Sequence, residues 1–138
     1  MFGLQIKYLS FFFGLISILS FFNIIYSYYF NLYLNLDTYY LSLFLSSILA
    51  ILFYNLKISH KKTSIFQKIL TVFLGYILLP LILSIPFYLS IYNITFINSF
   101  FEAVSGFTST GFTIFENIKN IDQSLILWRS TTQWIGGL

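Results

Sequence analysis

The chain has 138 residues, of which 58% are hydrophobic and only 8% are charged, and its mean hydropathy is +0.85. Soluble domains carry roughly 25% charged residues, so this composition excludes an ordinary globular surface in water and predicts an all-α membrane protein. The net charge of +3 is small and the basic residues lie beside apolar segments, which argues against nucleic acid as a partner. The absence of cysteine excludes disulfides and thiolate metal sites.

Two apolar segments, residues 8–30 and 39–56, come first, and each approaches or exceeds the length of about 20 residues that a helix needs to cross the hydrocarbon core. The first segment is longer than the apolar core of about 7–15 residues in a signal peptide, and no small-x-small cleavage site follows it. We therefore expect a retained helix. Residues 1–56 are predicted to form two leading transmembrane helices, with Asp37 in the polar break between them.

A basic stretch at residues 57–68, KISHKKTSIFQK, is predicted to be a cytoplasmic loop, because lysine and arginine favour the cytoplasmic side of short loops. Its lysines are Lys57, Lys61, Lys62 and Lys68. Lys7 lies on the same side after two crossings, which places the N-terminus in the cytoplasm. His60, among these lysines, is interpreted as a solvated residue and not a metal ligand.

The third predicted span covers residues 69–92 and contains Pro80 and Pro86. Proline removes a backbone donor and clashes with the preceding turn, so we expect this helix to kink or to end early. The apolar segment that follows, residues 93–104, is about half a membrane long, which suits a re-entrant pore helix better than a span.

Residues 105–113, SGFTSTGFT, are rich in glycine, serine and threonine. Backbone carbonyls of such a segment can replace the hydration shell of a cation, as in a selectivity filter. Gly106 and Gly111 permit dihedrals that other residues resist, and the C-terminal end of the preceding helix carries roughly half a negative charge. The spacing alone leaves two interpretations open: an ion filter, or an ordinary turn between two helices.

An outer loop is predicted at residues 114–123, where Glu116 and Asp122 would draw cations toward a pore mouth or simply be solvated. The chain becomes apolar again at residues 124–138 and reaches Leu138 before a helix is long enough to cross. We expect a truncated last helix and an N-terminal fragment, whether the truncation is biological or a matter of sequencing.

The residues FFEAVSGFTSTGFT (100–113), followed by LWRSTTQWIGG (127–137), resemble the first pore repeat of the Trk/Ktr/HKT cation transporter superfamily, most closely its TrkH branch. That family shows F-F-E-A-x-S-G-x-T-T-T-G-x-T and then W/Y-R…Q-W-x-G-G. The chain departs at Ser109, where threonine is common, and at Phe112, which leaves open whether the Ktr branch is closer.

The resemblance implies four helix–pore loop–helix repeats around one potassium pathway, with two leading helices in TrkH types. This chain would then hold the leading pair and the first repeat. The resemblance places ion-binding carbonyls, with potassium as cargo, at Thr108, Ser109, Thr110, Gly111 and Phe112. Gly106 and Thr113 would support the filter, and so would Glu102, a hydrogen-bonding strut behind it or else a residue facing a polar interface. The resemblance also implies that the glycine at position 111 favours potassium over sodium.

The same resemblance implies further pore repeats, a second copy in a homodimer and a cytosolic nucleotide-binding regulatory subunit as partners, in the inner (plasma) membrane. No catalytic constellation is present, so we expect neither enzymatic activity nor a cofactor. Arg129 is expected to pair with an outer carboxylate or to snorkel, and Trp128 and Trp134 to mark the membrane interface and helix packing. The alternative function is a non-conducting structural or assembly protein of the membrane.

Overall fold

A computed structural model of the chain describes residues 6–56, 64–90 and 92–138. Within these ranges the ordered elements are helices, and no strand occurs. The elements are α1 (Ile6–Tyr29), α2 (Leu36–Asn55), α3 (Ile65–Leu83), α4 (Ile85–Tyr88), α5 (Phe96–Phe107), a 3₁₀ turn (Ile118–Asn120) and α6 (Gln123–Gly136).

Three helical stretches are long and apolar enough to cross a membrane, namely Lys7–Tyr29, Leu36–Asn55 and Ile65–Tyr88. Together with the all-helical architecture, they confirm the predicted fold class, an all-α membrane protein. Large apolar side chains on α1 face outward, among them Phe11, Phe21 and Phe22. In water such a surface would be costly, whereas in a bilayer it is the surface in contact with lipid.

The α1 and α2 helices form an antiparallel hairpin held by small hydroxyl side chains. Ser10 Oγ donates to the carbonyl of Ala50 at 2.8 Å, and the hydroxyls of Ser17 and Ser47 are 2.7 Å apart. Small polar residues let two membrane helices approach closely and bond across the interface. The leading pair is thus a packed unit in its own right.

The third span begins at Ile65, four residues before the predicted start, because Ser64 closes a capping box with Gln67. Lys68 therefore lies in α3 and not in the predicted basic loop, whereas Lys57, His60, Lys61 and Lys62 lie outside the described residues. The predicted interruption by proline occurs: α3 ends at Leu83, and Pro86 lies in the first turn of α4.

The last helix, α6, packs against α1, α4 and α5. Trp128 is fully buried at the centre of this packing, and its indole Nε1 donates to the carbonyl of Leu83 at 3.0 Å. Trp134 is 56% exposed. Trp128 therefore serves the helix packing that was expected of it, and its position is fixed by a direct bond to the end of α3.

Candidate functional site

The candidate site is the segment that joins α5 to α6. The predicted pore helix, residues 93–104, is corrected to Phe96–Phe107. The helix starts later because the Thr95 side chain caps it by accepting from the Asn98 N–H at 3.4 Å. It ends later because Ser105, Gly106 and Phe107 continue the helix, so the irregular part of the predicted filter, residues 105–113, begins only at Thr108.

Gly106 serves helix packing and not backbone freedom. It lies in α5, and a side chain added there would overlap the Thr132 hydroxyl of α6. The predicted need for unusual dihedrals at Gly106 is therefore wrong. It is Gly111 that has a positive φ, of 79°, together with Ser109, whose φ is 57°. Positive φ is easy for glycine and costs about 1–2 kcal/mol for other residues.

The backbone after α5 turns around the carbonyl of Ser105. The N–H groups of Thr110 and Gly111 both donate to this oxygen, at 3.1 and 3.4 Å. The Ser105 hydroxyl in turn donates to the carbonyl of Phe112 at 2.6 Å. One residue at the end of α5 thus holds both sides of the turn.

Arg129 of α6 fixes the far end of the segment. Its Nη2 donates to the carbonyl of Gly111 at 3.0 Å and lies 3.5 Å from that of Phe112. By contrast, the carbonyls of Thr108, Ser109 and Thr110 accept no hydrogen bond within the part of the chain that the structure describes. The segment therefore has an open portion and a tethered portion.

Glu102 lies behind the tethered portion and is 1% exposed. Its Oε1 is 2.5 Å from Arg129 Nε, and its Oε2 accepts from the Ile114 N–H at 3.0 Å. A buried carboxylate is stable only when it is paired and hydrogen-bonded, and both oxygens here are satisfied. The structure thus joins Glu102 to Arg129, and not Arg129 to an outer carboxylate.

The remaining predicted site residues lie together on the exposed side of the segment. The Thr108 hydroxyl donates to the Val104 carbonyl at 2.8 Å, and the Thr110 hydroxyl lies 3.2 Å from those of Thr108 and Ser105. Phe112 is 72% exposed. The Thr108 and Thr110 side chains therefore bond to the end of α5, although both residues are exposed.

Two further predicted residues, Ser109 and Thr113, bond to groups outside the end of α5. The Ser109 hydroxyl donates to the Gln133 carbonyl of α6 at 3.2 Å. The Thr113 hydroxyl accepts from the Phe115 N–H at 3.2 Å. Sequence reasoning did not foresee these roles of Arg129, Ser105 and Thr132.

Asp122 lies at the start of α6 in a polar cluster and is half-buried. Its carboxylate accepts from Asn35 Nδ2 at 3.1 Å and from the Ser124 hydroxyl, and its N–H donates to the Tyr92 hydroxyl at 2.7 Å. Ser124 is also bonded to the Tyr39 hydroxyl at 2.9 Å. This cluster ties the α1–α2 hairpin to the start of α6, whereas Glu116 is exposed.

The site contains neutral oxygens and not a conventional metal centre. Across the described ranges, no group of three or more histidine, cysteine, aspartate or glutamate side chains could hold a metal ion. Backbone carbonyls suit a weakly bound alkali cation, because they can replace water and release the ion again. This is the chemistry that the open portion, Thr108 to Thr110, can provide.

Comparison with known proteins shows similarity to potassium uptake proteins. The chain is 37% identical over 65 residues to an uncharacterized cation transporter of Methanocaldococcus jannaschii, which is 47% of this chain. It is 40% identical over 60 residues, 44% of this chain, to the Trk system potassium uptake protein TrkI of Halomonas elongata. It is 38% identical over 64 residues, 46% of this chain, to the Trk system potassium uptake protein TrkG of Escherichia coli K12.

The matched stretches cover 14%, 11% and 13% of these three relatives, so the chain spans only a small part of the curated relatives it matches. No protein-family model matches the chain, and no solved structure matches it significantly. The similarities nevertheless show a relationship to Trk-type potassium uptake proteins, in agreement with the resemblance carried by the sequence around Gly111 and Arg129.

Proposed function

We propose, from the relationship to Trk-type potassium uptake proteins, that this chain supplies one quarter of a potassium pathway. In this proposal residues 108–112 line the selectivity filter, and Glu102, Gly106 and Thr113 support it. The observation that carries the proposal is the irregular, exposed backbone between α5 and α6, whose first carbonyls are open.

Among the described residues, the hydrogen bonds of the segment leave some of its carbonyls free and occupy others. The oxygens of Thr108, Ser109 and Thr110, which accept no hydrogen bond within the described residues, are available to an ion. Those of Gly111 and Phe112 are shared with Arg129. We infer that the first three provide most of the coordination and that the last two hold the backbone in place.

A guanidinium beside a cation path would repel the ion, since two unit charges 4 Å apart interact by about 4 kcal/mol at an effective dielectric constant of 20. Glu102 removes this difficulty, because its carboxylate lies 2.5 Å from Arg129 Nε. The pair is neutral as a whole, so it can bond to the filter without opposing potassium. The C-terminal end of α5 adds roughly half a negative charge on the same side.

The membrane setting and partners are part of the same proposal. An inside-negative potential supplies about 2.3 kcal/mol per charge per 100 mV, so uptake requires no chemistry in this subunit. We place the N-terminus in the cytoplasm and the protein in the inner membrane. Further pore repeats, a second copy and a cytosolic nucleotide-binding regulator would complete the assembly.

The test is a chimera in which the matched stretch of the Escherichia coli TrkG relative is replaced by the corresponding residues of this chain. In cells that lack their own potassium uptake systems, the chimera is expected to restore growth at low potassium and to take up rubidium. The Gly111→Ser variant is expected to discriminate less well against sodium, because serine strains a backbone whose φ is 79°.

Gly137→Ser is the matched control, since Gly137 has a negative φ and a side chain there meets only ordinary contacts. It is expected to keep the potassium-to-sodium uptake ratio. A chimera that reaches the membrane without taking up potassium would favour the non-conducting alternative. An unchanged ratio in Gly111→Ser would count against the filter assignment even if the chimera transports.

A further inference from the structure

Two polar side chains of α1 are buried without a partner. Asn23 and Ser27 lie one helical turn apart, and both are 0% exposed. Within the described part of the chain, neither amide atom of Asn23 nor the hydroxyl oxygen of Ser27 has a hydrogen-bond partner. Each such group costs about 1–3 kcal/mol when it is left unsatisfied, so the arrangement indicates a ligand that the described residues do not supply.

Two bonds between α1 and α2 show which part of α2 lies at the height of Asn23. Ser17 bonds to Ser47 near the middle of the hairpin, and Tyr28 bonds to Tyr40 at 3.1 Å near its closed end. Asn23 lies between these two contacts along α1. It therefore lies at the same height in the bundle as the part of α2 between the same two contacts.

That part of α2 contains two fully buried serines, Ser42 and Ser46. The Ser42 hydroxyl donates to the carbonyl of Thr38 at 3.0 Å, and the Ser46 hydroxyl donates to the carbonyl of Ser42 at 2.7 Å. Since each hydroxyl proton is used within α2, these oxygens can only accept from a ligand. Their side chains are also small, which leaves more space at this height of the bundle than aliphatic residues would.

The unpaired donor and acceptor atoms of Asn23 and Ser27 indicate the kind of ligand. Asn23 offers an unused donor, Nδ2, and an unused acceptor, Oδ1, and Ser27 adds a hydroxyl that can do both. A cation would satisfy the oxygens and leave Nδ2 unpaired, and a lipid chain would satisfy none of them. Of these three ligands, only water can both accept from the amide and donate to the oxygens.

We propose that Asn23, Ser27 and Ser42 bind ordered water inside the α1–α2 hairpin, at membrane depth. A buried water typically makes about three hydrogen bonds, and these three side chains supply that number. The site rests on the hairpin alone and is independent of the proposed transport function. It would give the leading helices a hydrated polar centre where lipid offers no partner.

The test is proton-detected NMR on the 138-residue chain in lipid bilayers, with magnetisation transferred from water to side-chain N–H groups. A water cross-peak is expected at the Asn23 Nδ2 protons, with its assignment made from the Asn23→Leu variant. The internal control is the indole N–H of Trp128, which is equally buried but bonded directly to Leu83. No water cross-peak is expected there.

Ser27→Ala and Ser17→Ala form a matched pair on the same helix. Ser27→Ala removes a water ligand and is expected to weaken the Asn23 cross-peak severalfold, whereas Ser17→Ala removes a direct bond to Ser47 and should leave it unchanged. A missing cross-peak in the unaltered chain would overturn the proposal. So would equal effects of the two variants, or Asn23 signals that move when sodium or potassium replaces a large organic cation.

Discussion

Replacing Glu102 by glutamine tests the link between α5 and α6. Glutamine has almost the same volume and keeps one carbonyl oxygen for the Ile114 N–H, so the change removes mainly the charge. Arg129, whose side chain is only 14% exposed, then loses its counterion. Removing one partner of a buried ion pair costs about 3–5 kcal/mol, and we expect Glu102→Gln to lower the free energy of unfolding by an amount in this range.

The measurement is equilibrium unfolding of the 138-residue chain in lipid bicelles, with each variant compared at the same lipid composition and ionic strength. Glu116→Gln is the matched control, because Glu116 is exposed. Surface substitutions usually change stability by less than about 0.5 kcal/mol. The control is therefore expected to unfold like the unaltered chain.

A double-mutant cycle separates the interaction free energy of Glu102 and Arg129 from the other effects of each single substitution. Arg129→Gln leaves Glu102 buried without a cation and should also be destabilising, but the double variant should lose much less than the sum of the two singles. A coupling free energy with a magnitude of about 0.5–3 kcal/mol is expected for groups in one network. If Glu102→Gln is as stable as Glu116→Gln, or if the two changes are additive, the ion pair does not brace the segment.

Three further outcomes follow from the structure. Gly136→Ala should cost about 1–3 kcal/mol in the same unfolding assay, because a methyl group there overlaps the Phe107 carbonyl, whereas Gly14→Ala, in open space, should not destabilise. Trp128→Phe should cost about 1–3 kcal/mol through the unpaired Leu83 carbonyl. The purified chain alone is proposed to hold only one of four pore repeats and should show no rubidium flux in liposomes. Measurable flux would contradict the proposal that it supplies one quarter of the pathway.

The transmembrane architecture could be predicted from the sequence because its signal is strong. Long uncharged segments of about 20 residues are typical of membrane-spanning helices. The three predicted spans correspond to α1, α2 and α3. The ends of the helices were less predictable. They depend on single side-chain bonds, such as those of Ser64 and Thr95, which outweigh the hydropathy pattern locally.

The candidate site was only partly predictable, for a different reason. The glycine and threonine pattern indicated where the backbone would be irregular, and Gly111 indeed has a positive φ. Glu102 and Arg129 are 27 positions apart in the chain, and the residues around each of them do not indicate that the two side chains meet in space. The positive φ of Ser109 had no sequence signal either, because serine rarely adopts it.

The serine-rich hairpin of α1 and α2 has a consequence for biogenesis. Its cross-helix bonds, from Ser10 to Ala50 and between Ser17 and Ser47, join elements that are neighbours in the chain. Membrane helices insert individually and then associate, so this pair can be assembled as soon as Asn55 leaves the translocon. The residues from Ile65 onward would then emerge beside an assembled helix pair, against which α6 can pack.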